Sequence, residues 1–118
     1  MTKSLRSVLV VCLTLTLADA YRRYQDLIPN GHNVPEPCSR NLWPGVGHNN
    51  IQGGGQRNLF GRDFECAGSK WTVELCRQDS DNDGVTNGQE LGDPDCKWTQ
   101  GSIPTRIFAI THPGIPDS

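Results

Sequence analysis

The chain has 118 residues, with 11 basic and 13 acidic side chains and a formal net charge of −2 at pH 7. A mildly acidic balance without a basic stripe argues against nucleic acid and anionic membrane as partners. Hydrophobic residues make up only 35% of a chain that also holds 13 glycines and 8 prolines, so one domain with a thin core is all it can build.

Residues 1–20 read as a secretory signal peptide. Lys3 and Arg6 form a positive start, Val8 to Leu17 is apolar apart from Thr14 and Thr16, and Ala18-Asp19-Ala20 has the A-x-A cleavage pattern. The apolar run is too short to span a bilayer. Cleavage after Ala20 is expected, leaving residues 21–118 as one secreted, extracellular domain with 9 basic and 12 acidic residues. No second apolar run follows, so no membrane span is expected.

Cys12 leaves with the signal. Cys38, Cys66, Cys76 and Cys96 remain, an even set in a short secreted domain, which reads as two disulfides. Three connectivities are open. A Cys76–Cys96 bond would clamp the acidic stretch between them, and Cys38–Cys66 would follow by elimination.

In chain order, Tyr21, Tyr24, Leu27 and Ile28 share one face of a short helix that Pro29-Asn30-Gly31 stops. Arg22-Arg23 has the form of a dibasic processing site, though such pairs near a chain end are usually only solvated. Pro35-Glu36-Pro37-Cys38 is extended. From Asn41 to Asp63 the chain is rich in glycine but lacks the Gly-Lys-Ser/Thr of a phosphate loop. It reads as turns bringing Trp43, Leu59, Phe60 and Phe64 to a common core. Ser69 is placed to cap a helix over 70–77, on which Trp71 and Leu75 share a face beside Cys76.

Asp79 to Glu90 then fits the twelve-residue calcium loop D-x-D-x-D-G-x5-E at every required position. Asp79, Asp81 and Asp83 occupy positions 1, 3 and 5, and Gly84 takes the sharp turn at position 6. Val85 offers its carbonyl at position 7. Asn87 stands at position 9, and Glu90 can bind through both oxygens at position 12. Four carboxylates this close repel one another without a cation. A hard ion with oxygen ligands is the natural counter-charge, and calcium tolerates a flexible cage better than magnesium. Thr86 and Gln89 have capping-box spacing, which predicts one helical turn over 87–91 ended by Gly92-Asp93-Pro94. One loop rather than a pair indicates a structural ion, not a sensor.

Beyond Cys96, Trp98 is a further core anchor. Ile103 to Ile110 reads as an extended segment of edge-strand type, and His112-Pro113-Gly114 turns the chain. His32, His48 and His112 would suit zinc or copper only if the fold gathered them, and their spacing matches no local motif. No G-x-S-x-G or H-E-x-x-H run occurs, so no enzyme is expected. The fold class is therefore a small disulfide-stabilised, loop-rich domain with short helices, little strand and a single calcium loop of EF-hand type.

Several stretches resemble the temptin family of secreted molluscan proteins. They include Ile28-Pro29-Asn30-Gly31, Val34-Pro35-Glu36-Pro37-Cys38, Gly45-Val46-Gly47-His48, Gly53-Gly54-Gly55-Gln56-Arg57-Asn58 and Phe60-Gly61-Arg62-Asp63-Phe64. The calcium loop, Leu91-Gly92-Asp93-Pro94 and Ile110-Thr111-His112-Pro113-Gly114 continue the match over nearly all of residues 21–118. The resemblance implies an inner disulfide at Cys76 and Cys96, and an outer one from Cys38 to a cysteine following His-Pro-Gly. Ile115 stands where that cysteine would be, and Cys66 is the substitute partner. The resemblance also implies a signalling or interaction role in a water-borne pheromone attraction complex, with other secreted proteins or a receptor as partners. The alternative is a calcium-stabilised structural module of extracellular matrix, mucus or biomineral. The absence of repeats and long acidic runs disfavours it.

Overall fold

The computed structural model describes residues 24–116. The expected signal peptide and cleavage site, and Arg22-Arg23, lie outside the described residues. Within them the chain forms three short helices: α1 over Leu59–Cys66, α2 over Val73–Arg77 and α3 over Asn87–Leu91. No strand pairing extends beyond two isolated antiparallel bridges, Pro35 with Leu42 and His48 with Arg57. No described helix is long and apolar enough to cross a membrane.

Turns hold together because side chains tie distant backbones. The described residues begin with a helical pair at 24–25 and a turn in which Asn30 takes a left-handed φ of 53°. The Asn30 amide donates to the carbonyls of Leu91 at 2.7 Å and Arg106 at 2.9 Å. One short polar side chain thus staples the first turn to the end of α3 and to the C-terminal segment. The core draws one or two residues from each part of the chain: Ile28, Val34, Val46, Phe60, Leu75, Leu91 and Ile110. Full burial of each large side chain contributes about 1.5–3 kcal/mol.

α1 begins where the glycine-rich run was read as turns alone. Asn58 is its N-cap. The side-chain oxygen accepts from the Gly61 N–H at 2.9 Å, and its amide donates to the carbonyls of Val46 and His48. A cap of this kind followed by Phe60 and Phe64, four apart on one face, is a helix signal that the surrounding glycines obscured. Gly61 is required for contact rather than flexibility, because a Cβ there would lie 2.0 Å from the Gly47 carbonyl oxygen. Leu59 is half exposed and does not join the core.

α2 is shorter than the sequence predicts. Thr72, not Ser69, caps it, accepting from the Leu75 N–H at 3.1 Å. Ser69 has a left-handed φ of 57°, and an N-cap needs extended backbone. Trp71 therefore lies before the helix, packed against the core. α3 has the predicted bounds and cap. Thr86 accepts from the Gln89 N–H and the Gln89 side chain accepts from the Thr86 N–H.

Cys76 and Cys96 are bonded, with Cα atoms 5.8 Å apart and a separation of 20 positions in sequence. Closing a loop of this size stabilises by roughly 3 kcal/mol in the chain-entropy model. The expected Cys38–Cys66 bond does not form. Cys66 is a free, exposed thiol at the end of α1, and Cys38 sits in an exposed turn with a left-handed φ of 62°. Each side chain stands out at the surface of its own element, so elimination gave the wrong pair.

The segment 103–110 is not a strand. Its backbone curls around its own arginine: the Arg106 guanidinium donates to the carbonyls of Phe108, Ala109 and Gln89, and the Arg106 N–H to Gly92. Ile110 turns into the core, while Ile103, Ile107 and Phe108 stay exposed. Trp98 is no core anchor either; it is half-buried, with its indole N–H on the Ser102 carbonyl.

Candidate metal site

The acidic loop connects α2 to α3. Its first residue follows the Gln78 that ends α2, and the Asn87 N–H returns to the Gln78 carbonyl at 2.7 Å. The loop therefore starts and ends at the same place. Between these points the aspartates fold inward by accepting from the backbone. Asp79 accepts from the N–H groups of Asp83 and Gly84, Asp81 from Asp83, and Asp83 from Val85. Gly84 takes the turn with a φ of 90°, as position 6 requires.

One carboxylate oxygen from each of Asp79, Asp81 and Asp83 lies within 4.8 Å of the other two. Asp81 is buried, and its Oδ2 meets no hydrogen-bond donor. Burial first, and the neighbouring Asp83 second, push the Asp81 carboxyl up to about 7. Asp83 moves the other way. Burial would raise it, but hydrogen bonds from the Glu90 carboxyl and the Val85 N–H outweigh burial and hold it below the usual carboxylate range. Glu90 is itself buried on α3 and reaches the cluster through Asp83. Main-chain N–H dipoles thus partly replace a positive charge. A hard cation would supply that charge directly, and the all-oxygen donor set suits it.

Asn87 has a different role from the one its position suggests. It is buried, and its amide donates to the Leu75 carbonyl and to Ser80 Oγ, both at 2.8 Å. Its oxygen accepts from the Ser80 N–H. With donors and acceptor all engaged, Asn87 ties the loop to α2 rather than facing its centre. Ser80 continues the tie, donating to Asp63 of α1 at 2.7 Å.

Asp93, which the sequence marked only as a helix stop, anchors the far side. Its carboxylate is buried and accepts from the Trp71 indole at 2.8 Å and from the Lys97 and Trp98 N–H groups. An acid directly after the glycine that ends a helix, in Gly92-Asp93-Pro94, was the available signal.

The three histidines stay apart; the aspartate trio is the metal-competent group among the described residues. His32 pairs with Asp26 at the surface, 2.6 Å away. His112 is buried edge-on to Trp43, with ring centroids 4.8 Å apart, and its Nδ1 accepts from Gly114 and Ile115. Burial pulls its pKa down to about 4.

Comparison with known proteins adds to this geometry. The family model described as Temptin C-terminal matches residues 18–115. Temptin of Aplysia californica is 50% identical over 117 residues, covering 98% of this chain and 94% of that protein. No solved structure matches.

Proposed function

The chain belongs to the temptin family, and from that premise we propose that it is a secreted signalling or interaction protein. It acts as a component of a water-borne pheromone complex, and one calcium ion holds its shape. Residues 1–20 are the leader, and residues 21–118 form the extracellular domain. A buried disulfide accords with an oxidising compartment.

The observation that carries the calcium reading is the buried Asp81 oxygen without a donor, set among converging Asp79 and Asp83 oxygens. Asp79, Asp81, Asp83 and Glu90 would supply side-chain oxygens and Val85 its carbonyl, while Asn87 serves the frame. The ion would neutralise the cluster and fix the orientation of α3 against α2. Its role is structural, so function runs through binding to another secreted protein or a receptor rather than through catalysis.

The test is capture of partners from the secreted fluid by the chain from Tyr21, with calcium and with chelator, beside Glu90→Gln. Wild type should retain its partner better in calcium, and Glu90→Gln should lose that dependence. Capture that is equal in both buffers for both proteins would remove calcium from the account.

A further inference from the structure

A cleft of about 360 Å³ opens beside α1. Its apolar walls are Tyr24, Ile28, Val46, Phe60 and Phe64, and Gln25, His48 and Ser69 add polar groups. Phe60 and Phe64 stack with centroids 6.0 Å apart, and Tyr24 stands edge-on to Phe64 at 6.4 Å. Gly47 and Gly61 also line it, and a Cβ on Gly61 would lie 2.0 Å from the Gly47 carbonyl oxygen. No side chain can fill this space from Gly61, and its size falls at the small end of the range for ligand pockets.

Charge at the mouth narrows the choice of ligand. Among the described residues, Arg57 and Glu65 are the only Lys, Arg, Asp or Glu side chains lining the cleft, and they pair with each other at 2.8 Å. A charged ligand would lose water in the apolar part of the cleft and find its counter-charge already paired, whereas the exposed pair itself is weak. An uncharged one leaves the pair intact. The guanidinium has five N–H donors, more than one carboxylate oxygen uses, so it can still donate to an oxygen on the ligand.

We infer that this cleft binds a small, uncharged, mainly apolar organic molecule with one hydrogen-bond-accepting oxygen, of the class of medium-chain alcohols, ketones and esters. The cleft shares no residue with the loop over 79–90, so this inference stands independently of the calcium reading.

The test is calorimetric titration of the chain from Tyr21 in calcium buffer, with octanol and with octanoate as probes. Octanol should bind saturably at one site, and octanoate about tenfold more weakly or worse. Tyr24→Ala, which removes a half-exposed wall, should weaken octanol binding about tenfold. Phe108→Ala, in the exposed apolar loop, should leave it unchanged. Glu65→Gln frees Arg57 and should strengthen octanoate binding while sparing octanol. Because Glu65 is surface-exposed, this arm remains informative even if Tyr24→Ala fails to fold. Absence of saturable octanol binding overturns the inference. So does octanoate binding as tightly as octanol, indifference of octanoate to Glu65→Gln, or loss of binding on Phe108→Ala.

Discussion

Asp81 and Asp93 are twelve residues apart and almost equally buried, at 5% and 1% exposure. Asp93 receives three N–H donors, from Trp71, Lys97 and Trp98, and so completes the turn that follows α3. Asp81 receives one, from Asp83, and keeps a buried oxygen that meets no donor. The same side chain at similar depth is a finished structural element in one region and a carboxylate short of donors in the other. What separates them is the supply of donors, not burial.

Removing Asp93's charge should produce the largest effect. Asp93→Asn turns an amide group toward N–H donors and should cost about 4 kcal/mol in denaturant unfolding, with or without calcium. A loss below about 1 kcal/mol would mean that the turn does not depend on its buried acid.

His112 lies between the two cases, with two donors on Nδ1 and a buried Nε2 that has no partner. Its pKa falls from 6.5 to about 4 on folding, so the unfolded chain binds its proton first. The stability it contributes is complete above pH 6.5 and is lost as pH falls toward 4, by roughly 3 kcal/mol. His112→Asn can still accept from Gly114 and Ile115 and should flatten that acid limb. An unchanged pH profile would assign the acid sensitivity elsewhere.

These contrasts were only partly readable in the sequence. The loop over 79–90 and the cap of α3 depend on local spacing, and Thr86, Gln89, Gly84 and the aspartates stand as the pattern demands. Asn87 fits the same pattern, yet long-range partners at Leu75 and Ser80 claim it. Asp93, Asn58 and Asn30 work through bonds to residues up to 76 positions away, which no local rule reports. The Ile103 to Ile110 segment has strand composition, but among the described residues no strand pairs with it, and Arg106 bends it instead. The pairing of Cys38 with Cys66 failed for a similar reason, since counting cysteines carries no information about distance.

The smallest effect concerns the helix that carries Glu90. Thr86→Ala removes the cap of α3 and should cost about 1 kcal/mol. The loss should be seen in both buffers, because the cap is made by backbone and hydroxyl without the ion. A loss seen only in calcium would show that the cap forms with the ion rather than before it.

The most direct measurement is denaturant unfolding of wild type and Asp81→Asn at pH 8, in excess calcium and in chelator. Asp81's raised pKa gives stability that is complete below 3.8 and lost as pH rises through about 7, so the ionised group is a burden at pH 8 without a cation. In chelator, Asp81→Asn should therefore be more stable than wild type by about 1 kcal/mol or more. Calcium at 100 times its Kd should raise wild type by about 2.7 kcal/mol and Asp81→Asn far less. Equal wild-type stability in the two buffers, together with a less stable Asp81→Asn in chelator, would show that the acidic loop is complete without an ion.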